Sequence, residues 1–247
     1  MTSNKNSLRR ALVTGASGGI GGAIARTLAE QGFDVLVHAN RQREAAEALV
    51  AEINSSGGRA QPLLFDVTDR SACEAALGAQ LEAGPIQVIV NNAGVHDDAV
   101  FPGMRADQWQ RVIDVNLNGF FNVTQPLMLP LLRTRWGRII AITSVAAQAG
   151  NRGQVNYAAA KGALHSAVKA LALECASRGV TVNAVAPGII ATDMIAGAFD
   201  DAAIKRLVPM QRAGQAQEVA DLVGFLASDK AGYISGQTIA INGGMYS

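Results

Sequence analysis

Ala11-Leu12-Val13-Thr14-Gly15-Ala16-Ser17-Gly18-Gly19-Ile20-Gly21 decides the fold. Three apolar residues suited to a strand run into a glycine-rich turn, and from Ile20 to Gln31 apolar residues recur at helical spacing. Glycines let a backbone turn tightly and approach a ligand closely. The helix start adds free N–H groups and the positive end of a dipole, a cradle for a pyrophosphate. The same glycines would also serve a plain strand-to-helix turn. Their place between the first strand and the first helix favours the nucleotide reading.

Working outward, short β-rich runs alternate with longer helical ones. Val35-Leu36-Val37, Leu63-Leu64-Phe65, Val88-Ile89-Val90, Arg138 to Thr143, Val180 to Ala186 and Thr238 to Ile241 read as six further strands. Polar-faced helices are predicted over Arg41 to Ser55 and Arg70 to Glu82, with Gly57-Gly58 as a turn between elements. Apolar strands alternating with helices predict a doubly wound parallel sheet of about seven strands, helices on both faces, with right-handed crossovers. The expected fold class is a single-domain α/β Rossmann fold over residues 1–247, with no linker or internal repeat.

Composition excludes several functions. Net charge is +1, so no field attracts nucleic acid or an anionic membrane. Charged residues make up 17% against a usual share of about 25%, which fits either surface hidden by a partner subunit or an ordinary compact α/β domain. Cys73 and Cys175 show neither metal-ligand spacing nor a disulfide framework, so no metal is expected and a reducing cytoplasm fits. Met1 to Arg10 lacks the apolar core of a signal peptide, and no apolar run nears the ~20 residues of a membrane helix.

Tyr157-Ala158-Ala159-Ala160-Lys161 places a phenol and an ammonium four residues apart on a helical stretch, hence on one face. A phenol with pKa of about 10 exchanges protons poorly at neutral pH. A neighbouring ammonium is expected to lower it by about 1–3 units, towards useful acid–base chemistry. Ser144 follows the fifth strand, where its hydroxyl can donate to a developing oxyanion. Asn116 sits inside an expected long helix, where Asn is a poor fit and so has another purpose. Each residue alone also suits a structural role. Their co-occurrence in order on an α/β background is what makes them a candidate site.

The T-G-x-x-x-G-x-G spacing, the Asn91-Asn92-Ala93-Gly94 run and this Asn-Ser-Tyr-Lys set resemble the short-chain dehydrogenase/reductase family, from Ala11 to Tyr246. The resemblance implies a nicotinamide dinucleotide held by Gly15, Ser17, Gly19, Ile20 and Gly21 of the turn. Asp66 and Val67 would then face the adenine, and Asn92, Ala93 and Gly94 the adenosine ribose. Pro187, Gly188 and Thr192 would face the nicotinamide. It also implies that Tyr157 is the general acid, that Lys161 holds the ribose, that Ser144 polarises the carbonyl and that Asn116 holds a relay water. Ile189 to Arg212 would close over the substrate.

NAD sites usually carry an acid at the end of the second strand. Here Val37-His38-Ala39-Asn40-Arg41 has none, and Arg41 can pair with a 2′-phosphate, so NADPH is expected. One departure is Gly18, where many NADPH-using relatives carry a basic residue.

Asn156 to Lys161, Ser177 to Asn183 and Asn242 to Tyr246 resemble the branch of β-ketoacyl-acyl-carrier-protein reductases, and Gly150 to Val155 their polyene-type counterparts. That branch implies reduction of a 3-oxoacyl thioester on acyl carrier protein in fatty acid or polyene-type biosynthesis. It further implies docking by Arg135 and Arg178 near the cleft mouth, and a homotetramer paired through the Ala-rich helix Tyr157 to Arg178 and the long helix before it. Two other readings stay open at this stage. One is a short-chain alcohol, sugar or steroid dehydrogenase with the same site. The other is a non-catalytic NADP(H)-binding regulator, which the intact Tyr and Lys disfavour.

Overall fold

The computed structural model describes residues 8–192 and 200–247. Its first half alternates β1 (Arg10–Val13), α1 (Gly19–Glu30), β2 (Asp34–Ala39), α2 (Arg43–Ser55), β3 (Arg59–Leu64), α3 (Arg70–Leu81) and β4 (Val88–Asn91). Then come α4 (Ala106–Ile113), α5 (Gly119–Arg133), β5 (Gly137–Ile142), the short α6 (Ala146–Ala149), α7 (Val155–Cys175) and β6 (Val180–Pro187). The rest holds β7 (Ile190–Ala191), α8 (Asp201–Leu207), β8 (Gly214–Gln215), α9 (Ala216–Ala227) and β9 (Thr238–Ile241).

Seven strands form one parallel sheet in the order β3-β2-β1-β4-β5-β6-β9, and β7 pairs with β8 apart from it. Interior strands β1, β4, β5 and β6 are buried at every residue, as expected where helices cover both faces. Side chains alternate between those faces. Ala11, Val13, Val35 and Val37 pack with Ile24, Leu28, Leu49 and Val223 of α1, α2 and α9. Leu12 and Leu36 point the other way, to Leu77, Leu127, Leu131, Leu164 and Val168 of α3, α5 and α7.

The doubly wound expectation of seven strands holds, with shifted boundaries. β3 begins at Arg59, earlier than its apolar residues suggest, because an edge strand need not be apolar and tolerates Pro62. α2 begins at Arg43, so Arg41 lies in the turn after β2 and does not open the helix.

The long helix around Asn116 is also interrupted. Asp114–Asn118 forms a π-helical turn between α4 and α5. Asn116 Nδ2 donates to Val112 O at 2.8 Å, taking the carbonyl that a regular i−4 backbone bond would use.

The chain runs outward from β1 to β3 and then returns to lay β4 on the other side of β1. That reversal opens a crevice beyond the carboxyl ends of β1 and β4, the usual ligand position in such sheets.

Candidate active site

The glycine turn follows β1 and lies against the segment leaving β4. Gly15 has φ +63°, and a Cβ there would meet Ala93 Cα at 2.9 Å. A Cβ on Gly21 would fall onto Gly15 O and within 2.5 Å of Asn92 Nδ2. Asn92 Nδ2 donates to both Thr14 O and Gly15 O at 2.9 Å, while Thr14 Oγ1 accepts from the Asn92 and Ala93 amides. Thr14 thus ties the two segments together, although the sequence reading gave it no role. Gly19 has φ +56° and its missing side chain faces Thr192, whose hydroxyl donates to Ile190 O. Gly18 opens to free space, Ile20 packs on the core, and Ser17 Oγ donates to Gln42 Oε1 at 2.6 Å.

Asp66, expected at the adenine, leaves the end of β3. Burial opposes its charge, yet bonds from the Thr68 amide and hydroxyl and from Asn40 Nδ2, with Arg41 nearby, hold its carboxyl below the usual range. Val67 O accepts from buried Asn122 Nδ2 at 2.9 Å. His38, one residue before the end of β2, is 2% exposed and bonded at both ring nitrogens. Burial pushes its pKa down to about 4, so the ring is neutral at pH 7.

Tyr157 sits in the first turn of α7, with its amide donating to Asn156 Oδ1 at 2.8 Å. Lys161 lies one turn on, buried, its Nζ 5.8 Å from the Tyr157 ring centre and donating to Ile142 O at 2.9 Å. Ser144 leaves β5, its Oγ accepting from the Ala146 amide at 3.1 Å. Pro187 and Gly188 leave β6; Pro187 O accepts from the Val145 amide and the Gly188 amide donates to Ile241 O.

The pKa values depart from expectation. Burial raises that of Tyr157; a hydrogen bond with Ser144 opposes the rise and the charge of Asp98 adds to it. No lowering by Lys161 offsets this, because the ammonium is turned to Ile142 O and is itself pushed down to about 8 by burial. Asp98 is fixed by bonds from Gln154 Nε2 at 2.9 Å and His96 Nδ1 at 3.2 Å, a contact the sequence did not signal.

Asn116 faces the same place. Its Nδ2 donates to Val95 O and Val112 O, while its buried Oδ1 has no partner among the described residues. A Cβ built on Gly94 would meet that Oδ1 at 2.6 Å and Lys161 Nζ at 3.1 Å, so both groups face one point beside Gly94. A cavity of about 10 Å³ adjoins Asn116, Lys161 and Ala93, which is room for about one water. The orphaned acceptor and the glycine-lined cradle fit a bound nicotinamide dinucleotide with a solvent chain behind it.

Arg135 and Arg178 are brought together but not to this crevice. Arg135 Nη2 donates to Ser177 O at 3.4 Å, and both arginines precede β5 and β6 at the opposite edge of the sheet. At 1.5 Å per residue, α7 and its extension put Arg178 about 30 Å from Tyr157 along the axis. The expected cleft-mouth position is therefore wrong within one chain, because α7 runs from the crevice to the far edge. Of the expected substrate-closing segment, residues 193–199 lie outside the described residues.

Residues 9–203 match the family model described as short chain dehydrogenase. The 3-oxoacyl-acyl-carrier-protein reductase FabG of Aggregatibacter actinomycetemcomitans is 46% identical over 236 residues, covering 95% of this chain and 98% of the relative. The enzymes of the same name from Staphylococcus aureus (strain Mu50 / ATCC 700699) and Escherichia coli (strain K12) are 45% and 46% identical. Each covers 96% of this chain, and 98% and 96% of the relatives respectively.

Proposed function

This chain belongs to the short-chain dehydrogenase family, and from that premise we propose that it reduces a 3-oxoacyl thioester on acyl carrier protein to the 3-hydroxyacyl form, using NADPH. The observation that carries the reading is the meeting of Tyr157, Ser144, Lys161 and Asn116 at the crevice beyond β1 and β4. The names of the similar reductases support the substrate class.

When bound, the nicotinamide supplies the hydride. Ser144 and Tyr157 hydroxyls orient the ketone and donate to its oxygen as charge grows there. Burial keeps the Tyr157 phenol protonated at neutral pH, so it serves as the proton donor in the reducing direction. Lys161, largely charged at pH 7, offsets the phenolate left behind. Asn116 Oδ1 holds the water that returns a proton to Lys161 Nζ once the ammonium has given one towards the phenolate. Gly15, Ser17, Gly19, Ile20 and Gly21 hold the pyrophosphate, Asp66 and Val67 the adenine, and Asn92, Ala93 and Gly94 the ribose. Pro187, Gly188 and Thr192 hold the carboxamide. Arg41 is the cation at the end of β2 for a 2′-phosphate, since Asn40 is engaged by Asp66.

Arg135 and Arg178 then dock the carrier on a neighbouring copy's cleft. Phe121 and Leu129 on α5 and Leu173 on α7 are 57%, 68% and 85% exposed, apolar surface that a second copy would cover. Antiparallel pairing of these helices across a two-fold axis carries one copy's arginines towards the other's Tyr157, within a tetramer. The whole chain acts as one domain, in a cytoplasmic setting that suits two unpaired buried cysteines.

The test is nicotinamide absorbance with acetoacetyl thioester on carrier protein, against a panel of alcohol, sugar and steroid ketones. NADPH should exceed NADH in kcat/KM by at least about tenfold, the worth of one charge-assisted pair. Equal use of both cofactors removes the Arg41 assignment, and faster turnover of a free ketone removes the carrier substrate.

A further inference from the structure

His38 is a buried imidazole that the proposed chemistry does not use, yet it touches both halves of the dinucleotide crevice. Its Nδ1 accepts from the Gly15 amide at 3.1 Å, and its backbone carbonyl accepts from the Ala16 amide at 2.8 Å. One residue therefore receives the first two amides of the glycine turn. With Nδ1 acting as acceptor, the single proton of a neutral ring sits on Nε2. That N–H donates to Phe65 O at 3.0 Å, the carbonyl immediately before Asp66. The ring also lies 4.1 Å from the Phe65 ring centre, tilted by 46°. No other side chain bonds both to the glycine turn and to the end of β3 among the described residues.

We propose that His38 is a positioning residue of the cofactor site, a neutral strut that fixes the pyrophosphate turn relative to the adenine-side Asp66. The proposal rests on the nicotinamide reading above. Gly15 stands at φ +63° and carries no side chain of its own to anchor it. Its amide direction is set by what accepts from it. Without the imidazole that amide and Phe65 O both lose partners in a dry place, and the turn relaxes to find others. A dinucleotide spans turn and adenine pocket at once, so a change in their separation weakens binding of the whole cofactor. The chemistry at Tyr157 lies at the other end of the crevice and is spared.

The test combines imidazole ¹⁵N NMR of the wild-type chain with NADPH binding by fluorescence, melting and steady-state kinetics. The variants are His38→Phe and His38→Gln. At pH 7 the expected ring is the Nε2–H tautomer with a bare Nδ1. His38→Phe should raise the NADPH Kd about tenfold or more, with kcat at saturating NADPH within about twofold of wild type. His38→Gln, which can still offer an acceptor and a donor, should recover much of the loss. An Nδ1–H tautomer overturns the proposal. So does a His38→Phe variant that melts earlier but binds NADPH as wild type does, since that is a packing residue only. Should His38→Phe not fold, His38→Leu, which likewise removes both imidazole bonds, takes its place with the same expected and overturning results. A wild-type chain that binds no nicotinamide dinucleotide sinks the oxidoreductase reading itself and this proposal with it.

Discussion

Lys161→Met separates what the site does for catalysis from what it costs the fold. Among the described residues the buried ammonium has one hydrogen bond, to Ile142 O at 2.9 Å, and burial pushes its pKa from 10.5 to about 8. The folded pKa is depressed, so between about pH 8 and 10.5 the unfolded chain binds more protons and stability rises with pH. Below that window the depression costs about 3 kcal/mol, at about 1.36 kcal/mol per pH unit. Methionine, of similar length, removes that cost but leaves Ile142 O without its donor, a loss of about 1–2 kcal/mol. The expected result at pH 7 is a net gain of about 1–2 kcal/mol and a Tm rise of about 2–8 °C for a domain of this size. The same variant should lose most of its reductase activity. Between pH 8 and 10 the gain should shrink and reverse, as the wild type sheds its buried charge. Guanidinium melts at pH 7 and pH 10 measure this directly. A variant less stable than wild type at pH 7, or a difference that ignores pH, would refute the reasoning.

Tyr157→Phe should lose roughly 10²–10⁴ in kcat while still binding NADPH, as followed by nucleotide fluorescence. Asp98→Asn removes a charge that raises the Tyr157 pKa, so the alkaline limb of the kcat profile should move to lower pH; an unmoved limb removes Asp98 from the site. Gly21→Ala would push a methyl group onto Gly15 O and Asn92 Nδ2, costing about 3 kcal/mol in denaturant melts and abolishing cofactor binding. Arg135→Glu with Arg178→Glu should slow reduction of a carrier-bound substrate at least about tenfold and leave a small ketoester within about twofold. Equal losses on both substrates would argue against docking there.

The sheet was legible because interior parallel strands are buried on both faces and so appear as short apolar runs, as at Val88–Val90 and Ile139–Ile142. Tyr157 and Lys161 were legible because helical spacing alone puts residues four apart on one face. What escaped was set by contacts between segments distant in the chain. The π-turn arises from Asn116 competing for Val112 O, which leaves the apolar periodicity unchanged. Asp98, held by Gln154 56 residues further along, acts on the phenol through its charge. The direction of the Tyr157 shift depends on burial and on where Lys161 Nζ turns, neither of which spacing encodes. The place of Arg135 and Arg178 was within reach. Both immediately precede strands of a parallel sheet, and ligand crevices lie where such strands end.

The crevice and the groups proposed to transfer protons meet at Gly94, and that meeting limits what else the site can be. Thr14 and Asn92 hold the segment after β4 against the glycine turn through four hydrogen bonds of 2.9–3.0 Å. The backbone at residue 94 therefore cannot retreat far. On its other side stand Asn116 Oδ1, without a partner among the described residues, and Lys161 Nζ, which uses one of its three donors there. A purely structural site would not keep a bare acceptor and an under-used ammonium facing one point, since each unmet group costs free energy. A methyl group at residue 94 would fill that point and sever the two. In the proposed function the glycine thus serves proton transfer as much as close approach of a ribose. The non-catalytic regulator fits poorly for the same reason, because it would bear the cost of a buried lysine and an orphaned amide while using neither.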